Sequence, residues 1–153
     1  MNVEYINPFL KATVNVLKTM AFTDAKAGKP YLKKEQEAEG DVSGIIGLTG
    51  ETEGSLSVTF SKDCICHVLT NMFGEEVTTI DREVEDAVGE ITNMISGDAR
   101  RELAEKGINL KAAIPSVISG PGHHIRHITS GPVVAIPFDT PAGPFTVEVT
   151  LKE

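Results

Sequence analysis

Apolar residues near the N-terminus recur at the three- and four-residue spacing of an α-helix. This spacing predicts an amphipathic helix over residues 8 to 20, with one face on a core. Asn7 and Pro8 suit its N-cap and first helical position, where the N–H that proline lacks would be unbonded anyway. The apolar positions are Phe9, Leu10, Val14, Leu17 and Met20.

Farther along the chain, the spacing of apolar residues changes from that of a helix to every second residue, which is the period of a strand. Leu56, Val58 and Phe60 alternate with serine and threonine, which predicts a strand with one dry and one wet face. The apolar run over 44–48 precedes it across a glycine-containing turn. Together they predict a β-hairpin. The polar stretch from 23 to 44 fits either a solvated strand or a loop.

A second hairpin is predicted at the C-terminal end. Residues 145–151 alternate between apolar and polar, the run over 133–136 is apolar, and the turn is expected over 139–144. Strands joined by tight turns pair antiparallel. The expected fold is therefore α+β, with a mainly antiparallel sheet that packs against helices.

Two helices are predicted between the hairpins. Ser61 can cap a helix from Lys62 to Phe73, which Gly74 closes. Asp81 can cap a longer helix that ends near 106–107 and is expected to be the central element of the domain. The following stretch, 114–132, is interrupted by glycine and proline and is expected to be strand plus loop.

The long helix carries an unusual polar face. At about 100° per residue, Asp86, Glu90, Asn93 and Gly97 lie nearly opposite the apolar stripe. Asparagine and glycine are weak helix formers, so a site under no other demand would favour different residues. The alternative is an ordinary solvated face on which Gly97 relieves contact with another element. The apolar stripe consists of Val84, Ala87, Val88, Ile91 and Ile95.

The spacing of Glu90 and Asn93 is not specific by itself. Glu4 and Asn7 have the same spacing, but with Asn7 as a cap residue the two side chains need not share a helix face. The context of the motif must therefore decide.

That context resembles the CheC/CheX/FliY family of bacterial chemotaxis phosphatases. The resemblance rests on Asp86-x-x-x-Glu90-x-x-Asn93 with Pro115 following, on Ile6-Asn7-Pro8-Phe9, and on the Met72-Phe73-Gly74-Glu75-Glu76 end of the second helix. Only one convincing copy of the motif is present, which favours the CheX branch with its CheC-like fold.

The resemblance implies removal of phosphate from the aspartyl phosphate of a CheY-like receiver domain. Asn93 would orient the attacking water, and Glu90 would pair with the receiver's active-site lysine. Asp86 would support this pair, and Pro115 would be a structural marker. From the general use of glycine, Gly97 is expected to admit the partner's backbone. The receiver would hold the Mg²⁺, so the chain needs no cofactor of its own.

The resemblance also implies a homodimer, which the exposed edges of the predicted strands favour as well. A different class of function stays open: a non-catalytic module of the same fold that binds a receiver or belongs to a flagellar switch. A second alternative is a metal site at His123-His124-x-x-His127. Cys64 and Cys66 fit buried, reduced thiols better than a disulfide or a metal site.

Composition narrows the partners. The 153 residues suit a single domain over 1–153, and the net charge of −8 argues against nucleic acid or an anionic membrane as partner. With no signal-peptide pattern or long apolar run, the expected location is the cytoplasm. The implied receiver site is itself rich in carboxylates, so recognition is expected to depend on a local match at Glu90 and Asn93.

Overall fold

The computed structural model combines three helices with one antiparallel sheet and describes residues 3–34, 40–125, 127 and 131–152. The helices are α1 (Val3–Ala21), α2 (Lys62–Phe73) and α3 (Arg82–Glu105). The strands in the described ranges are β1 (Lys26–Ala27), β2 (Tyr31–Lys33), β3 (Val42–Gly50), β4 (Gly54–Phe60), β5 (Leu110–Ala112), β6 (Ser116–Ser119), β7 (Val133–Thr140) and β8 (Gly143–Leu151). This arrangement confirms the predicted α+β fold.

The sheet runs in the order β1-β7-β8-β4-β3-β5, with β2 also paired to β7 and β6 to β3. Both predicted hairpins are confirmed, as β3–β4 and β7–β8. The strands of the second hairpin extend farther than predicted. Asp139 pairs with Pro144 and Thr140 with Gly143, so only two residues remain for the turn.

The helices cover one face of the sheet, and the core lies between these layers. Phe138 and Phe145 stack there with ring centroids 4.9 Å apart. From α1, Phe9 and Leu17 are buried in this core. Met20, predicted on the same face, is 44% exposed at the end of the helix.

The predicted start of α1 is wrong. The helix begins at Val3, so Asn7 is not a cap and Pro8 lies inside the helix. Proline leaves the carbonyl of Glu4 without its helical donor. Lys106 Nζ donates to that carbonyl at 3.1 Å, which offsets the loss. Glu4 and Asn7 therefore lie in the same helix. The expectation that Asn7 is a cap residue, which distinguished this pair from Glu90 and Asn93, is wrong.

The predicted wet face of β4 is also wrong, because both of its faces are buried. Two described residues that follow β6, His123 and His127, lie on the face opposite the helices. There His127 Nδ1 shares a hydrogen bond with Ser55 Oγ of β4. His123 Nε2 lies 2.6 Å from Ser43 Oγ of β3. The buried polar residues of β4 are Ser55, Ser57 and Thr59.

The capped helices match their predictions. Ser61 Oγ accepts from Cys64 N, and Gly74 closes α2 in the left-handed conformation. The undecided stretch from 23 to 44 contains β1, β2 and the start of β3, while residues 35–39 lie outside the described part. The prediction of strand plus loop for 114–132 holds where that stretch is described, through β6.

Candidate active site on the long helix

Helix α3 is fixed in rotation by its cap and by its buried stripe. Asp81 Oδ1 accepts a hydrogen bond from Val84 N at 3.0 Å, which satisfies one of the free N–H groups of the first turn. The predicted apolar stripe is buried throughout. Its members are Val84, Ala87, Val88, Ile91 and Ile95.

This rotation places the predicted polar face toward solvent. Asp86, Glu90 and Asn93 are exposed and Gly97 is half-buried, so the structure brings these four residues together on one ridge. The side chains of Asp86, Glu90 and Asn93 make no hydrogen bond or ion pair with any residue that the structure describes. Their polar atoms are therefore available to a partner.

In the described part of the chain, Gly97 relieves no close contact. A Cβ at this position would meet one described atom within 4 Å, Arg100 Nη2 at 3.9 Å. The glycine of α3 that faces the β6 segment is Gly89, one turn before Asn93. A Cβ there would make ordinary contacts, 3.4 Å from Val117 Cγ2 and 3.9 Å from Pro115 Cγ. The β6 segment therefore lies against α3 at Gly89.

A groove of about 600 Å³ runs between the N-terminal half of α3 and this segment. Pro115, predicted as a structural marker, forms its wall opposite Glu90. The sequence did not identify Gly89, Arg82 or Val117 as parts of this region. The feature of the sequence that could have indicated this region is Gly89, a glycine on the edge of the buried stripe, four residues before Asn93. The groove is lined by Arg82, Glu85, Asp86, Gly89, Glu90, Pro115 and Val117.

Hydrogen bonds on both sides hold the wall of the groove in place. Before Pro115, the N–H of Ala113 donates to Gly47 O of β3 at 2.9 Å. After it, β6 pairs with β3, and Ser119 Oγ donates to Glu85 Oε2 of α3 at 2.9 Å. The groove is therefore built from anchored elements.

The histidine segment lies on the opposite face of the sheet. His123 is held by Ser43 Oγ and by Gly120 O, each 2.6 Å away, and His124 is exposed. Among the residues that the structure describes, no group of three His, Cys, Asp or Glu side chains is placed to hold a metal ion. Hydrogen bonding within the fold accounts for His123.

His127 belongs to a buried ionic group, the Glu148 cluster, with Lys33 and Glu148. Lys33 Nζ lies 2.7 Å from Glu148 Oε2, and His127 Nε2 lies 3.2 Å from Oε1. Burial acts to raise the pKa of Glu148, but the hydrogen bonds from His127 and Lys33 and their charges outweigh it and lower the pKa below its ordinary value. The cluster ties β2 and residue 127 to β8.

Both cysteines are buried and free. Burial raises the pKa of Cys64 to about 11 and also raises that of Cys66. Cys64 is therefore a neutral thiol at pH 7, as expected for a small apolar residue of the core.

Comparison with known proteins identifies the family. The family model described as chemotaxis phosphatase CheX matches residues 42–139, a range that includes α3 and Pro115. The chain belongs to the CheX family. The resemblance inferred from the motif is thereby confirmed, and the family is one of phosphatases.

Relatives of known structure or function agree with this membership. The CheX structure from Desulfovibrio desulfuricans is 51% identical and covers 97% of this chain and 99% of its own, with a TM-score of 0.91. The CheY-P phosphatase CheX of Thermotoga maritima is 28% identical over 121 residues, 78% of each chain. A Borrelia burgdorferi CheX solved with CheY, BeF3 and Mg²⁺ is 29% identical, covers 97% and 98% of the two chains, and has a TM-score of 0.82.

Within the described ranges of this CheX family member, no helix combines the length and apolar character that a bilayer crossing needs.

Proposed function

We propose that this chain removes the phosphoryl group from the aspartyl phosphate of a CheY-like receiver domain. One observation carries the proposal. Glu90 and Asn93 stand side by side on the exposed face of a rigid helix, with no bonding partner in the described chain. The activity of the Thermotoga maritima relative and the CheY complex of the Borrelia burgdorferi relative support the choice of substrate.

The two side chains suit different parts of the reaction. Phosphoryl transfer requires positioning and charge stabilisation more than covalent help from the protein. The Asn93 amide both donates and accepts hydrogen bonds without titrating near neutral pH, so it can align a water with phosphorus. Glu90 offers a carboxylate for the receiver's lysine, and Asp86 supports the pair. In this proposal the receiver holds the Mg²⁺, so this chain supplies no metal ligand.

Glu90→Ala is expected to weaken binding to the phosphorylated receiver by about tenfold and to lower the rate with it, because a charge-assisted pair is lost. Titration against a beryllofluoride-loaded receiver measures the affinity. Glu105→Ala, at the far exposed end of α3, is the matched control and should bind normally. A Glu90→Ala variant that turns over slowly yet binds like wild type would assign Glu90 to chemistry instead.

Gly97→Ala is expected to act in opposite directions on stability and on binding. Because the new methyl group would make only an ordinary contact with Arg100 Nη2, 3.9 Å away, alanine should raise the free energy of unfolding by about 1 kcal/mol through its helix propensity. The same methyl should hinder the approach of the receiver's backbone and weaken binding. Urea unfolding and receiver titration measure the two effects. Unchanged affinity in the stabilised variant would remove Gly97 from the interface.

We also propose that the chain forms a homodimer, as the resemblance implies. Its support is that the described sheet order ends in β1 and β5, and exposed strand edges are commonly paired or covered, which a second copy can do. Light scattering should give about twice the chain mass of 16.4 kDa. A mass of one chain at micromolar concentration would contradict this proposal.

Phosphate release distinguishes the enzyme from a module that only binds receivers. Receivers encoded in the same genome are phosphorylated, and free phosphate is followed with and without a substoichiometric amount of this protein. The proposal predicts that each molecule accelerates phosphate loss from many copies of one receiver. A receiver that binds tightly but loses phosphate at its own rate would favour the binding module.

A further inference from the structure

Ile114 is an apolar side chain that the fold leaves in solvent. It lies between β5 and β6 and is 89% exposed, whereas Leu110 in β5 is buried. No motif in the sequence includes it. A single exposed isoleucine is common on protein surfaces. What distinguishes Ile114 is its anchored backbone and its position beside the groove.

The backbone around Ile114 is anchored. The N–H of Ala113 bonds to Gly47 O at 2.9 Å, and Ser116 pairs with Ile45 in the β3–β6 ladder. Between these anchors, the proline at 115 confines Ile114 to an extended conformation. The isoleucine is therefore presented to solvent from a held segment and loses little backbone freedom when a partner covers it.

Ile114 also adjoins the candidate active site. Its neighbour Pro115 lines the groove together with Glu90 and packs beside Gly89, one helical turn before Asn93. Ile114 is therefore joined directly to the residue that forms one wall of this groove. Along the chain, it borders the proposed receiver interface.

Charge gives a reason for an apolar contact at this place. The chain carries a net charge of −8, and the groove contains three carboxylates, of Glu85, Asp86 and Glu90, against one arginine. The carboxylate-rich active site expected of a receiver gains nothing from this overall charge. Burial of apolar area is insensitive to the sign of charge and can supply the missing affinity.

We propose that Ile114 is a receiver-binding residue that packs on an apolar part of the receiver surface beside the phosphorylation site. This inference rests on the proposed function and adds a specificity contact to it. Receivers that carry a charged side chain at the facing position are excluded, because covering Ile114 would bury that charge unpaired.

The test compares three variants by titration with the beryllofluoride-loaded, Mg²⁺-bound receiver selected by the phosphate-release assay. Ile114→Ser should raise the dissociation constant about tenfold, and the KM for the phosphorylated receiver with it. Ile114→Val, which keeps most of the apolar surface, should bind nearly like wild type. The control is Leu32→Ser, an exposed apolar residue of β2 at the opposite edge of the sheet, which should not change the affinity.

Two results would overturn the inference: wild-type affinity for Ile114→Ser, and an equal loss for Leu32→Ser. Wild-type affinity together with a shift of Ile114→Ser from dimer to monomer would make a second copy the occupant. The failure of the proposed function is separate. It would be seen as full activity of Asn93→Ala, whatever Ile114→Ser does.

Discussion

Replacing Asn93 with alanine is expected to reduce receiver dephosphorylation by about 10²-fold or more while receiver binding stays nearly intact. The amide is assigned to the water in the transition state, whereas Glu90 is assigned to docking. Asn93 is exposed and makes no described side-chain bond, so its removal should not destabilise the fold. Phosphate release gives the rate, and titration with a beryllofluoride-loaded receiver gives the affinity.

Asn109→Ala is the matched control for this variant. Asn109 is exposed just beyond the C-terminal end of α3, and its backbone N–H, not its side chain, bonds to Glu51. The control should keep the wild-type rate. Wild-type turnover in Asn93→Ala would remove Asn93 from the mechanism, and a loss of binding equal to the loss of rate would make it a docking residue.

Replacing Lys33 with methionine is expected to lower the free energy of unfolding by about 3 kcal/mol, since it leaves the buried Glu148 carboxylate with His127 as its one described ionic partner. The Lys33 side chain is only 10% exposed and that of Glu148 only 3%. Urea unfolding measures the change. The control is Lys11→Met, because the Lys11 ion pair with Glu102 is exposed and should contribute about 1 kcal/mol or less.

Lys33→Met is also expected to change how the free energy of unfolding depends on pH in the acidic range. The pKa of Glu148 in the folded protein lies below its ordinary 4.5, so the stability it contributes is present above that pH and is lost as pH falls through the folded value. Without Lys33 the folded pKa of Glu148 should rise. Lys33→Met should therefore lose stability at a higher pH than wild type. If the free energy of unfolding of the two proteins fell over the same range of acidic pH, this role for Lys33 would be excluded.

What the sequence predicted well was determined by neighbouring residues. Ser61, Gly74 and Asp81 act within one turn of the helix ends they define, so the limits of α2 and α3 follow from local chemistry. The phase of α3 follows from its own apolar stripe, and with it the exposure of Glu90 and Asn93. The ridge of the candidate site was therefore predictable.

What the sequence did not predict depends on residues far along the chain. Pro8 is accommodated inside α1 by Lys106, and His127 bonds to the polar side of β4. In the same way, Pro115 becomes a wall of the groove only because β6 lies against Gly89. No local pattern encodes such contacts, because tertiary packing overrides the periodicity of a single element.

The central claim is that Asn93 gives this chain a catalytic role at a receiver's aspartyl phosphate. Its most direct test is the single-turnover rate of phosphate loss from the selected phosphorylated receiver, measured against increasing concentrations of wild-type protein and of Asn93→Ala. With wild type the rate should rise to saturation, and with Asn93→Ala it should stay at the receiver's own value, although both proteins bind. Equal acceleration by the two proteins, or none by wild type at saturating concentration, would contradict this claim.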